Sequence, residues 1–459
     1  METTSAPANA PQNPNPNTVD ASPTKEFFID ILTRDINLLD AVKDLVDNSV
    51  DGARRLRPTG DLSGLSVDIS LTKDHFLIVD NCGGISVKLA RDYAFRFGRA
   101  PSAPVTDGSI GRFGVGMKRA LFKLGKYFSI SSKSTDSSFR LEVDVDEWKR
   151  KRDEKGHELW QFEFKEMQEN EINPEDSTST TLEVTGLHPA IASEFDGQSF
   201  KNGLIDAIQH AHEQSMERGL AISVNDFELK HQLSQLLRSN EIRPIKLEAI
   251  FPGDPGGGES RSDVKLTLFA GIGETQPSDA GWSVVCNGRQ VLRADKTEVT
   301  GWHTVVDGVR IPRAHNQFSR FRGFVFFDSL DADGLPWNTA KSGIDAESPA
   351  YRWARGEMIA AMRQVIDFLN KVDAEKDTES TAYEDAIARS VNVRLKDIVP
   401  SKNFVYPDVE KSSEIPRETR VSFVQPNEDV QFAKDFFRVT SARSAGKEAF
   451  GYFLERERE

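Results

Sequence analysis

Between residues 36 and 57 apolar side chains return every third or fourth position, and this spacing predicts a helix. Val42, Leu45, Val46, Val50 and Ala53 make its apolar side, whereas Asp44, Asp47, Asn48 and Asp51 share the opposite face. Three carboxylates and an amide crowded together repel unless a cation or hydrogen-bond donors lie among them. This face is therefore a candidate binding surface. Strands are expected near 66–71 and 76–80, then a helix, a glycine-rich loop and a second helix reaching 125. Strand-like runs follow at 127–133, 138–145, 159–166 and 180–185. Helices followed by antiparallel strands favour an α+β fold, a sandwich with its helices on one face.

Helical patterning returns at 200–218 and leads into an alternating strand at 221–229, with further strands at 264–271, 281–286 and 323–328. The glycines of the loop 251–263 lack the Lys-Ser/Thr of a phosphate-binding P-loop, so it reads as a connector. Ile359, Met362, Val365, Ile366 and Leu369 recur at helical spacing in a helix at 349–371. The acidic polar run after it reads as a linker, followed by a strand at 420–424 and helices at 430–437 and 444–457. The expected plan is a tail (1–22), a first domain (23–190), a second α/β domain (191–372), a linker (373–382) and a small C-terminal module (383–459). The tail is rich in Pro, Asn, Ala and Thr and cannot repay the entropy of ordering.

Composition narrows the classes. The 459 residues exceed one ordinary core. A net charge of −14 disfavours a protein held mainly by phosphate backbones, although nucleic acid stays open. Two cysteines, Cys82 and Cys286, with no histidine cluster near either, argue against a zinc site or a disulfide framework. No signal peptide or membrane span is legible, which gives the expectation of a cytoplasmic protein.

Two further segments complete a candidate site. Asp80 ends the apolar run FLIV and precedes Asn81-Cys82-Gly83-Gly84-Ile85; a carboxylate there suits an exocyclic amine such as that of adenine. Gly108, Gly111, Gly114 and Gly116 precede the helix 117–124. Glycines expose unpaired N–H groups at a helix start to phosphate oxygens, and Lys118 adds a cation.

In order and spacing these segments resemble the GHKL ATPases, the superfamily of the gyrase B subunit, the ninety-kilodalton heat-shock chaperone, histidine kinases and MutL. KDLVDNSVDGA is similar to the family's Asn-bearing helix, VDNCGGIS to its Asp-x-Gly-x-Gly box and GRFGVGMK to its lid-closing glycine box. The resemblance implies a Bergerat-type ATPase domain followed by a transducer-like α/β domain. It implies that Asn48 holds Mg²⁺ on ATP, with Asp51 beside it, and that Asp80 binds the adenine amine while Gly84 and Ile85 make room for the base. Gly111, Arg112, Phe113, Gly114, Val115, Gly116, Met117 and Lys118 would hold the phosphates, and residues 97–113 would form the lid. Thr181, with Thr180 close behind, stands where the family has a strand Thr near the base. In the run FRGFVFFDSLDADGLPWNTAKSGID, Lys341 is similar to the lysine that some members send back to the γ-phosphate.

Two departures follow. Asp44 stands where hydrolytic members carry Glu, one methylene shorter, so the resemblance implies a base of reduced reach and slow turnover. Cys82 replaces the first glycine of the Asp box and reads as a small packing residue. The plan is closest to MORC-like and MutL-like members, which implies an ATP-dependent homodimer and an unidentified protein client. A non-hydrolysing ATP-gated scaffold and a DNA-associated clamp stand as alternatives.

Overall fold

The computed structural model describes residues 17, 21–98, 108–111, 114–169, 177–231, 233–253, 262–306, 308–376, 380–408 and 424–458. Most of the expected tail, most of the expected lid with Arg112 and Phe113, residues 254–261, residues 377–379 and nearly all of the strand expected at 420–424 lie outside them.

Polar caps set the first helices. Thr24 accepts the Phe27 N–H at the start of α1 (Lys25–Arg34), and Asn37 accepts that of Asp40 at the start of α2 (Leu38–Leu56). The expected apolar positions of α2, Val42, Leu45, Val46, Val50 and Ala53, are all buried. Each such Leu or Val contributes about 1.5–3 kcal/mol. Next come β1 (Ser66–Leu71), β2 (His75–Asp80), the short α3 (Val87–Leu89) with a π turn at Ala90–Ala94, and α4 (Gly116–Leu124). β3 (Gly125–Lys133), β4 (Ser137–Asp144), α5 (Val145–Arg150), β5 (Phe164–Glu169) and β6 (Ser179–Leu187) follow. α6 (Pro189–Asp196), α7 (Gln198–Ala211) and α8 (Glu213–Glu217) lead to β7 (Ala221–Val224) and β8 (Phe227–Glu228).

These strands form one eight-stranded sheet in the order β5-β4-β3-β6-β2-β1-β7-β8. All its pairings are antiparallel except β1 with β7. Alternation buries one face, where Phe122 of α4 meets Phe128 and Phe195 of α6 meets Phe76. The mixed α+β sandwich expected from the sequence is present. Three details differ. The strand expected at 159–166 begins only at Phe164. The run 221–229 is broken into a hairpin because Asn225 and Asp226 both take positive φ, at 47° and 62°, the geometry of a two-residue turn. That hairpin completes the first sheet with residues beyond the boundary expected at 190.

The second sheet has the order β10-β11-β16-β12-β13, with β10 (Ile245–Phe251), β11 (Val264–Ile272), β12 (Gly281–Cys286), β13 (Arg289–Asp295) and β16 (Phe321–Ser329). A small ladder joins β14 (Val305–Val306) to β15 (Val309–Arg310). The long helix α9 (Pro349–Glu375) brings Tyr351 against Phe327 of β16. Residues 382–407 return to this unit: β17 (Val391–Arg394), after the short α10 (Ala382–Ala388), pairs with β9 (Gln235–Arg238). Contacts thus gather residues up to 372 and 382–407 into one compact unit. A second unit comprises 373–381 and 408–459, with α11 (Asn427–Phe437) and α12 (Ala442–Arg458) joined by ring contacts of Phe436 and Phe437 with Tyr452. No helix of the described residues is long and apolar enough to cross a membrane.

Candidate functional site

Asp80 closes β2 on a pocket lined by Asn48, Ser49, Gly52 and Arg55 of α2, Gly84 and Ile85 after β2, and Met117 of α4. Ser49 donates to its Oδ2 at 2.7 Å and the Cys82 N–H to its Oδ1 at 2.9 Å. Burial pushes the Asp80 pKa up, and these two hydrogen bonds act against that rise. Each carboxylate oxygen keeps a further lone pair, so the pocket offers an acceptor to an amine. Cys82 is buried, with its thiol pKa raised by desolvation, as a packing residue should be.

β6 crosses the pocket beside β2. Thr180, opposite Asp80, lines it together with Leu182, so alternation turns Thr181 to the other face of the sheet. The second choice from the sequence, Thr180, is the residue at the pocket, where it shares a 3.0 Å hydrogen bond with Ser132.

Gly84 adopts φ +67°, and a Cβ there would lie 2.1 Å from the Lys133 carbonyl oxygen. Gly84→Ala is expected to cost about 2 kcal/mol or more, because strain and a backbone clash add. Gly60→Ala supplies the comparison, since Gly60 has φ +91° with nothing within 4 Å. Urea denaturation giving equal costs at the two positions would contradict the close packing.

The glycine segment enters α4 without a side-chain cap, which leaves the N–H groups of Gly116, Met117 and Lys118 free of intrahelical partners. Gly114, at φ +64°, makes the turn before them. Two other groups depart from the expected phosphate roles. The Gly111 N–H, with that of Ile110, is held by the Asp51 carboxylate at 2.8 Å each. Asp51 therefore ties the glycine segment to α2. Lys118 is buried, and its Nζ donates to the Ala94 carbonyl at 2.8 Å. Desolvation brings its pKa down to about 7.

The remaining carboxylates of α2 are not solvated. Asp44 lies against the start of α4, with its Oδ2 3.2 Å from where a Gly116 Cβ would be. Arg119 binds that oxygen at 2.6 Å and also donates to the Thr339 carbonyl. Lys341 reaches in from the loop that follows the 3-10 turn Ala332–Gly334, 2.7 Å from Asp47 Oδ2 and 3.5 Å from Asp44 Oδ1. Its backbone is left-handed, at φ +51°, in a turn closed by Lys341 N–H to the Asn338 carbonyl. Burial alone would lower the Lys341 pKa, but Asp47 and Asp44 raise it.

Asp47 has two more buried neighbours. Arg289 Nε lies 2.9 Å and His212 Nε2 3.4 Å from its Oδ1, neither in the alignment of a hydrogen bond. Burial opposes ionisation of Asp47, yet Arg289 and Lys341 hold its pKa below the usual carboxylate range. Arg119, Arg289, His212 and Ser49 were not expected from the sequence. Only Arg119 and Ser49 carried a signal, since each is next to a candidate residue on a helix.

His212 is fully buried, and desolvation, then Arg289, lowers its pKa to about 3. It is neutral in the folded chain and titrates near 6.5 when unfolded. Its contribution is complete above pH 6.5 and declines as pH falls toward 3, with a slope approaching about 1.4 kcal/mol per pH unit. Asp47, with a depressed pKa, adds a further loss only in the carboxylate range. Urea unfolding at pH 7, 6 and 5 is expected to show falling stability, with a shallower fall in His212→Gln.

Asn48 spends its Nδ2 on the Asp44 carbonyl at 3.0 Å, leaving its amide oxygen outward on an exposed residue. One hard neutral oxygen beside a pocket fits Mg²⁺ that takes its other ligands from phosphates and water. No cluster of three or more His, Cys, Asp or Glu that could cage a metal occurs among the described residues.

Residues 36–177 match a protein-family model described as Histidine kinase-, DNA gyrase B-, and HSP90-like ATPase. No curated protein matches the chain.

Proposed function

We propose, from the premise that residues 36–177 belong to the GHKL ATPase superfamily and so supply an ATP-binding domain, that the chain is a Mg²⁺-dependent nucleotide switch with slow hydrolysis. The observation that carries the reading is Lys341, delivered by the second sheet's loop onto the carboxylates of α2 beside the uncapped start of α4. Asp80 accepts the adenine amine, with Ser49 and Thr180 at the same pocket. Free N–H groups at the start of α4 receive phosphate oxygens, favoured by the helix dipole. Asn48 holds Mg²⁺, which neutralises phosphate charge.

Asp44 is the base. Arg119 and Lys341 occupy its oxygens, so turnover requires Lys341 to exchange carboxylate for phosphate. That exchange would make the docking of the second sheet depend on the nucleotide. Nucleotide-dependent pairing of two chains and an unidentified protein client are the partners this switch would serve. The same ion pairs favour a second reading, an ATP-gated scaffold that does not hydrolyse.

One set of variants tests both. Asn48→Ala is expected to lose ATP binding in Mg²⁺, whereas Asp44→Ala binds ATP but shows no turnover in a single-turnover assay. Equal hydrolysis rates in wild type and Asp44→Ala would remove Asp44 from the role of base. Bound but uncleaved ATP in wild type would leave the scaffold.

A further inference from the structure

A second cavity, of about 330 Å³, lies between α8, the face of the second sheet and residues 394–396. That volume is at the lower end for small-molecule sites. Phe269, Phe324 and Phe326 form an apolar floor, and Leu395 packs against them from above.

The charges at the rim are unequally engaged. Glu213 accepts from the Ser234 N–H and hydroxyl at 2.8 and 2.9 Å, and Glu217 faces Lys396 at 3.6 Å. Asp328 stands across the ladder from Lys265. Arg394 is exposed at the rim, and Arg218 acts on the Asp328 carboxylate through its charge without a close ion pair. Two guanidinium groups over an aromatic floor, one of them exposed at the rim, suit a flat apolar body that carries negative charge.

The wall of this cavity also touches the glycine segment. Gly288 lines it, at φ +73°, and a Cβ there would meet Arg54 at 2.6 Å and Gln214 at 2.9 Å. The preceding Asn287, also left-handed at φ 45°, completes a tight two-residue hairpin turn with it. Asn287 donates to the Ser109 carbonyl at 3.1 Å, and Arg54 donates to those of Gly108 and Asn287 at 3.1 and 2.7 Å. One tight turn thus faces the cavity with Gly288 and holds Ser109 with Asn287, while Arg54 joins Gly108 to the same turn.

We propose that this cavity binds a small organic anion with a flat apolar body, and that its occupant braces the Asn287–Gly288 turn and through it residues 108–111. The site is separate from the Asp80 pocket and does not depend on ATP binding there.

The probe is the anilinonaphthalene sulfonate anion, titrated by fluorescence into the full chain. Arg394→Glu, at an exposed residue, and Thr267→Trp, which fills the cavity from β11, are each expected to weaken binding at least tenfold with an unchanged melting temperature. If Thr267→Trp does not fold, Arg394→Glu alone decides. Hydrogen exchange of the 108–111 amides is expected to slow at least threefold with the probe in wild type and not in Arg394→Glu. Undetectable binding, affinities within twofold in both variants, or exchange unaffected by bound probe would overturn the proposal. The aromatic residues exposed on α11 and α12 could take up the probe too, and such uptake would survive both substitutions.

Discussion

Asp47→Ala is expected to destabilise the chain by about 3–5 kcal/mol, the cost of breaking a buried ion pair and stranding its partners. Arg289 is fully buried, and its two terminal nitrogens already lack hydrogen-bond partners among the described residues. Without Asp47, Lys341 would keep only Asp44, at 3.5 Å. These partners come from the second sheet and its loops, so the loss is also expected to loosen the docking of that sheet on α2. The exposed pair Arg389–Glu241 gives the contrast, and Glu241→Ala is expected to cost under about 1 kcal/mol. Chemical denaturation of both variants checks this. A loss at Asp47 no larger than at Glu241 would mean that the buried cluster does not hold the two sheets together.

The largest effect on binding is expected at Asp80. Asp80→Ala removes the acceptor for the adenine amine from an enclosed pocket, and at least about a 100-fold loss of ATP affinity should follow. Asp80→Asn is the more informative change, because it keeps the size of the side chain and replaces one acceptor oxygen with a donor. The remaining oxygen can keep the Cys82 N–H, and the new amide nitrogen can donate to the Ser49 hydroxyl. The adenine amine then faces a donor, and binding should fall nearly as far while stability changes little.

Much of the first unit was legible because its signals are local. The i, i+3, i+4, i+7 acids of α2, the Asp80 turn and the glycine segment each depend on residues close in sequence, and all three converge in the fold. What could not be read depends on contacts between distant segments. Nothing near Arg289 or His212 marks them as partners of Asp47, since the pairing exists only once the hairpin of β12 and β13 and the end of α7 reach α2. The Lys118 orientation was illegible for a related reason. A glycine box suggests a cation on phosphate, but only the packed structure supplies the Ala94 carbonyl that accepts its hydrogen bond. Thr180 and Thr181 differ by one residue, and a shift of one in strand register exchanges the two faces. The boundary at 190 followed a helical stretch that looked like a start, yet the β7–β8 hairpin after it belongs to the first sheet. The loop ending in Lys341 was readable as a docking element, although its present partners are carboxylates.

The most direct test of the nucleotide site is a calorimetric titration of a non-hydrolysable ATP analogue with Mg²⁺ into wild type and Asp80→Asn. We expect one site per chain in wild type and affinity weaker by about 100-fold in the variant. No binding by wild type, or the same affinity in both proteins, would contradict the assignment of this pocket to ATP.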